Sequence, residues 1–155
     1  MIGANGYSPG QEHVLAPNLG EPVRLRGASS SGEIELDLLT RIWYRVAPAE
    51  GERGPWRVET TGYSHRIETT DAWEIIAYHW HPKGSKTPYP HLHIGAGIGS
   101  SPGLLDKKHI PTGRIPFEDI IKFAILEPGV EPKREDWREV LSETRAAFEE
   151  RRTWR

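Results

Sequence analysis

Two His-x-His pairs lie close together in the chain, and their side chains could bind a metal ion or transfer protons. The first pair is His79 and His81, and the second is His91 and His93. In an extended strand, residues i and i+2 point to the same face, so each pair projects both imidazoles in one direction. If the two strands form a hairpin, we expect all four imidazoles to converge on one patch.

A metal site is one interpretation of this patch. Neutral imidazole binds first-row metals, and histidines from adjacent strands are a common way to build such a site. The carboxylate that often follows a His-x-His pair in such sites is missing, because no Asp or Glu follows His93 until Asp106. A divalent metal (zinc, iron or nickel) would be held by three of five histidines. These are His79, His81, His91, His93 and the late candidate His109.

Metal-free acid–base catalysis is the second interpretation, and it needs no cofactor. Two histidines that titrate near neutral pH can deprotonate a ribose 2′-hydroxyl and protonate the leaving oxygen, as RNA cleavage requires. The candidate catalytic residues are His79, His81, His91 and His93. Such a site also needs cations for the phosphate and surfaces on which bases stack. The candidate substrate-binding residues are Lys83, Lys86, Tyr89, Lys107, Lys108 and Arg114.

A non-enzymatic role is the third interpretation, in which the histidine face contacts a protein partner. Nucleotidyl transfer of the histidine-triad type is rejected, because that motif alternates three histidines with apolar residues. The segment Pro90-His91-Leu92-His93-Ile94-Gly95 carries glycine where the third histidine belongs. The position of the nucleophile is therefore missing.

Composition limits the remaining classes of function. The chain has 155 residues, of which 20 are basic and 22 acidic, so its net charge of -2 gives no overall attraction to nucleic acid. Without cysteine, the chain forms neither disulfides nor thiolate metal sites. No signal-peptide pattern follows Met1, and no apolar run approaches the roughly 20 residues of a membrane span. We therefore expect a cytoplasmic protein without membrane contact.

The elements that position the histidines are predicted to be strands. Apolar and β-branched residues predict strands over Glu33–Val46 and Trp56–Ile67, and a third over Trp73–His81 after a polar turn. A helical turn over Asp37–Thr40 is an alternative start to the first of these. The second His-x-His pair opens a fourth strand. Alternation in the third and fourth strands then places all four histidines on one face and the large apolar residues on the other.

The pairing of the two histidine strands can be predicted one residue at a time. A symmetric hairpin pairs His81 with His91, His79 with His93, and Ala77 with Gly95. The histidine face then continues into small residues, which leave room for a ligand or a packed neighbour. These small residues are Ala77, Gly95 and Gly97.

Two helices are predicted after the strands. Pro116 suits the first turn of a helix that carries apolar residues at helical spacing, and Pro132 opens a longer, charged helix. Strands followed by helices indicate an α+β fold: an antiparallel β-meander of four to five strands followed by two helices packed on one face. Residues 1–32 are rich in Gly, Pro and Ser, which predicts a loosely structured lead-in with an edge strand over Val23–Arg26. Residues 33–155 are predicted to form a single α+β domain.

Three segments together resemble a known protein family. They are His81-Pro82, Pro90-His91-Leu92-His93 and Pro116-Phe117-Glu118-Asp119-Ile120-Ile121. Over about Ile75 to Phe123, the chain resembles the TumE type of small bacterial toxin from toxin–antitoxin pairs. The resemblance implies ribonuclease-like activity and an antitoxin protein as partner. The leading expectation is therefore a small cytosolic enzyme that cleaves RNA or a nucleotide.

The two remaining histidines, His13 and His65, lie outside these motifs, and we expect them at the surface.

Overall fold

The computed structural model describes residues 2–4, 8–49, 54–95 and 108–151. These residues form an eight-stranded antiparallel sheet followed by two helices, which confirms the predicted α+β class. The strands are β1 (Ile2–Ala4), β2 (Glu12–Pro17), β3 (Val23–Ser29), β4 (Gly32–Pro48), β5 (Trp56–Thr69), β6 (Glu74–Trp80), β7 (His91–Ile94) and β8 (Ile110–Pro111). A 3-10 turn covers Asn18–Gly20, and the helices are α1 (Phe117–Leu126) and α2 (Trp137–Arg151).

The long strand β4 organises the sheet. One edge of β4 pairs with β5, and its other edge pairs with β3 along its first half and β2 along its second.

The predicted edge strand Val23–Arg26 is the start of β3. More strands form than the four to five predicted, because β1, β2 and β8 are short segments held by pairing with distant parts of the chain. Three of the strands lie in the region 1–32, where we expected a loosely structured lead-in. The segment Asp37–Thr40 lies within β4, so it is strand and not a helical turn.

The apolar core lies between the sheet and α1. Pro116 precedes the first turn of α1, and the helical spacing of its apolar residues turns Ile120 and Ala124 inward. The buried core residues are Leu36, Leu38, Ile67, Ile76, Ile120, Ala124 and Val130. Burial of this face of β4, β5 and β6 leaves the opposite face free for polar residues.

The second helix lies against the first. An ion pair joins Arg145 of α2 to Asp119 of α1. Helix α2 begins at Trp137 and not at Pro132, because Asp136 occupies the position before the first helical residue and accepts two hydrogen bonds from Arg134. Neither helix in the described ranges is long and apolar enough to cross a membrane.

The register of the histidine hairpin differs from the prediction by two residues. His79 pairs with His91 and Ala77 with His93, whereas the predicted partners of His91 and Ala77 were His81 and Gly95. Gly95 explains the shift: its amide donates to the carbonyl oxygen of Ile75 at 2.9 Å, and a Cβ at this position would lie 1.7 Å from the backbone oxygen of Glu74. Only glycine permits so close an approach.

Two histidines predicted to be exposed are buried. His13 is 4% exposed and His65 is 2% exposed. His65 alternates with Tyr63 and Ile67 along β5, so it faces the helices, where its ring stacks on Tyr63 at 5.0 Å between centroids. Burial lowers the pKa of His65 to about 4, so this imidazole is neutral in the folded protein at neutral pH.

We predict that Gly27→Ala destabilises the fold and that the matched change Gly113→Ala does not. A Cβ on Gly27 would lie 2.1 Å from the backbone oxygen of Gly129, whereas a Cβ on Gly113 would meet nothing within 4 Å. Urea unfolding should show a loss of about 1–3 kcal/mol for the first variant only. Equal stability of the two variants would contradict the close contact between β3 and the segment that follows α1.

We predict that His65 makes the fold sensitive to mild acid. The folded pKa of about 4 lies below the ordinary value of 6.5, so the unfolded chain binds the proton more tightly. Stability should therefore fall as pH decreases from 6.5 to about 4, with a contribution of roughly 3 kcal/mol from this residue. Urea unfolding across this range should show a smaller loss for His65→Leu than for the wild type. An unchanged pH profile would exclude this role of His65.

Candidate metal centre

Three imidazoles converge on the face of the sheet opposite the helices. His79 belongs to β6, while His91 and His93 belong to β7. One nitrogen from each ring lies within 4.8 Å of a nitrogen from each of the other two. The ring centroids of His79 and His93 are 4.9 Å apart, and those of His91 and His93 are 5.0 Å apart. Such a cluster of nitrogen donors on rigid strands is what a transition metal requires.

A backbone hydrogen bond fixes the orientation of His91. Its Nδ1 lies 2.8 Å from the carbonyl oxygen of Tyr89, and because a carbonyl only accepts, Nδ1 must carry the proton and donate. Nε2 of the neutral ring therefore keeps its lone pair. Side-chain burial of this residue, which is 3% exposed, holds the ring in place. Metal-binding histidines are commonly oriented by this kind of hydrogen bond from the second ring nitrogen.

Glu74 lies near the second histidine of β7. One carboxylate oxygen of Glu74 lies 4.0 Å from Nδ1 of His93. The other ring nitrogen, Nε2, is buried and has no hydrogen-bond partner among the described residues. A buried nitrogen without a partner is costly, and a bound metal ion would remove that cost.

A β-bulge explains why Glu74 reaches this face. Ile67 of β5 pairs with Ile76, but the next residue, Glu68, pairs with Glu74, so Ile75 is an extra residue in β6. Simple alternation would have turned Glu74 toward the helices with Ile76. The extra residue reverses its direction, as bulges commonly do near functional sites. No local signal in the sequence marks the bulge, so the sequence does not reveal that Glu74 belongs to the site.

Two imidazoles of the cluster, His79 and His93, are kept neutral. Burial is the main cause that lowers the pKa of His79 to about 3. Smaller contributions come from the rings of His93, His81 and His91 and from the guanidinium of Arg66. Burial also lowers the pKa of His93 and of His81, with further contributions from nearby imidazoles. Neutral imidazole is the form that coordinates a metal, whereas a general acid must carry a proton at the working pH.

The other two candidate ligands lie at the edges of the cluster. The ring of His109 is exposed and lies 4.8 Å from that of His91 and 4.6 Å from that of His93, between centroids. His81 follows β6, and its ring lies 5.6 Å from that of His79. Neither His109 nor His81 belongs to the group of three histidines whose ring nitrogens lie within 4.8 Å of one another. His109 is thus close enough to be a further ligand, and His81 borders the site.

The candidate phosphate-binding lysines that the structure describes are solvent-exposed. Lys83 and Lys86 are exposed in the loop between β6 and β7, and Lys108 is exposed beside His109. Lys107 lies outside the described residues, as does Gly97 of the predicted small-residue floor.

Arg114 packs against an aromatic ring on the helix side of the sheet, whereas Tyr89 lies beside the histidines. The guanidinium of Arg114 lies 3.6 Å from the ring centre of Trp80, which faces the helices and not the histidines. Tyr89 contacts His91 through its carbonyl oxygen, and its ring is 45% exposed with its centroid 6.1 Å from that of His91. The exposed ring leaves a stacking surface beside the site.

Comparison with known proteins gives no relative of this chain. No family model, no curated protein and no solved structure matches it. The chemistry of the site therefore has to be inferred from its own geometry.

We predict that His91 occupies the Nδ1–H tautomer. Donation to the Tyr89 carbonyl at 2.8 Å requires the proton on Nδ1. Long-range nitrogen–proton NMR spectra at neutral pH, with the His91 signals assigned by their loss in His91→Gln, should show a protonated Nδ1 and an unprotonated Nε2. The opposite tautomer would remove Nε2 as a metal ligand.

Proposed function

We propose that the protein is a metalloprotein in which His79, His91 and His93 hold one divalent transition metal ion. The observation that carries the proposal is the convergence of three ring nitrogens within 4.8 Å of one another on two paired strands. Zinc, iron and nickel all accept such a set of neutral imidazoles. The proposal selects three of the five histidines that the sequence offers.

The geometry of the three residues supports this proposal. Metal–nitrogen bonds of about 2.0–2.1 Å in a tetrahedral site place the nitrogens roughly 3.4 Å apart. The three nitrogens lie within 4.8 Å of one another, so metal binding would draw them closer together. The Tyr89 carbonyl and the Glu74 carboxylate lie beside the remaining ring nitrogens, where metal sites place their orienting groups.

We infer further that the centre is catalytic in type. Three protein ligands leave one coordination position for water or substrate, which distinguishes catalytic zinc sites from closed structural ones. A metal ion held in this way would activate water for hydrolysis. His109 borders the cluster from the exposed side.

The metal-free ribonuclease remains the competing hypothesis. Its support is the resemblance to TumE-type toxins, which also implies RNA or a nucleotide as substrate, an antitoxin partner and a cytoplasmic location. The site favours metal chemistry over this alternative for two reasons. The pKa of His79, about 3, is far below that of a useful general acid at neutral pH. The described candidate lysines Lys83, Lys86 and Lys108 are also solvent-exposed, where a phosphate contact is weakened by water.

We predict that the untagged protein binds one equivalent of Zn²⁺ and that His79→Gln abolishes this binding. Removal of one of three imidazole ligands leaves too few donors for a tight site. The matched control is His81→Gln, which removes the other histidine of the same His-x-His pair but leaves the group of three intact. Metal analysis after dialysis and isothermal titration with Zn²⁺ provide the measurement.

Two outcomes would overturn the metal proposal. One is the absence of stoichiometric binding of Zn²⁺, Fe²⁺ or Ni²⁺ by a folded wild-type protein. The other is equal loss of binding in the two variants, which would show that the structure selects the wrong histidines. RNA cleavage that persists in a chelator and is lost in a His91→Ala/His93→Ala double variant would favour the acid–base hypothesis instead.

A further inference from the structure

A row of four paired residues crosses the sheet through the metal centre. Arg41 of β4 pairs with Ser64 of β5, Ser64 pairs with His79 of β6, and His79 pairs with His91 of β7. Directly paired residues of antiparallel strands project to the same face. Arg41 therefore stands on the histidine face, separated from His79 only by the small side chain of Ser64.

The distances within this row suit a ligand-binding contact. Neighbouring strands lie about 4.8 Å apart, so the Cα atoms of Arg41 and His79 are roughly 10 Å apart. A long arginine side chain directed along the row covers much of this distance. The half-buried side chain of Ser64 is the one that lies between Arg41 and His79 in the row.

The neighbouring rows flank this row on two sides. On one side, the rings of Trp43 and His81 meet at 5.1 Å between centroids above Gly62, because glycine presents no side chain there. On the other side, Arg66 pairs with Ala77 across the sheet, and Ala77 is completely buried. Along the row itself, only the small side chain of Ser64 separates the strand positions of His79 and Arg41.

The charge of Arg41 is uncompensated within the described part of the chain. Other arginines of this face hold carboxylate partners: Arg45 lies 2.7 Å from Glu59, and Arg66 lies 3.0 Å from Glu68. Arg41 is exposed and forms no ion pair with a described residue. A guanidinium and a metal dication on one face repel each other unless an anion lies between them.

We propose that Arg41 forms an oxyanion subsite beside the metal centre, so that the substrate carries a phosphate or carboxylate group bound between the metal and this guanidinium. The inference rests on the proposed metal centre and extends it to the class of substrate. Arginine suits this role because its planar fork donates two parallel hydrogen bonds to an oxyanion. The Ser64 hydroxyl lies below the bound group and can donate one more.

Oxyanion titrations of the Co²⁺-loaded full chain test the proposal. The visible absorption of Co²⁺ reports changes in its coordination, and inorganic phosphate and oxalate serve as separate probes for the two kinds of oxyanion. Arg41→Gln should raise the half-saturating concentration of the preferred probe about tenfold, the cost of one charge-assisted hydrogen bond. The control is Arg45→Gln, which removes the same charge from the same face of β4 and should leave this concentration within about twofold of the wild type.

The outcomes separate this inference from the metal proposal. If Co²⁺ fails to bind, both fail. If Co²⁺ binds but neither oxyanion changes its spectrum, or if the two arginine variants respond equally, the metal centre stands and the oxyanion subsite is refuted. A selective effect with phosphate alone or oxalate alone supports the subsite and identifies which oxyanion it accepts.

Discussion

The cross-strand register of β5, β6 and β7 is the constraint on which the site depends. The pairing of His79 with His91 sets three imidazoles on one face and turns Ile76, Tyr78 and Leu92 toward the helices. The period of a strand is two, so a slip of one residue would exchange the faces completely. Polar imidazoles would then enter the core and apolar side chains would reach water. The energy of burying the core therefore also secures the geometry of the histidines.

Irregular backbone at the start of β6 completes the arrangement. The extra residue Ile75 turns Glu74 to the histidine face, and Gly95 allows the end of β7 to approach Glu74 closely. A regular hairpin would have placed Glu74 among the core residues, where an unpaired carboxylate is costly. The hairpin register of β6 and β7 differs by two residues from the symmetric form. Since the shift is even, it changes the partners of the histidines but preserves their common face.

The sequence predicted those features that depend on local patterns. Alternation gave the strands and the histidine face, and helical spacing gave α1 together with its inward residues Ile120 and Ala124. Features that depend on distant pairing were missed. Strand β2 exists because β4 provides its partner, and His65 is buried because α1 covers that side of β5. The alternation of His65 with Tyr63 and Ile67 was a readable signal for its burial, whereas nothing local revealed the bulge that delivers Glu74.

The energetics of the cluster explain why a metal ion is a reasonable occupant. Burial and mutual repulsion disfavour protonation of His79 and His93, so a proton is a poor partner for their ring nitrogens. Water has little access to the buried Nε2 of His93, which lacks a partner among the described residues. Strand pairing with the apolar core beneath it prevents the imidazoles from separating to relieve this cost. In the proposed metal centre, a metal ion would accept the lone pairs that neither protons nor water satisfy, and its binding energy would add directly to the stability of the folded state.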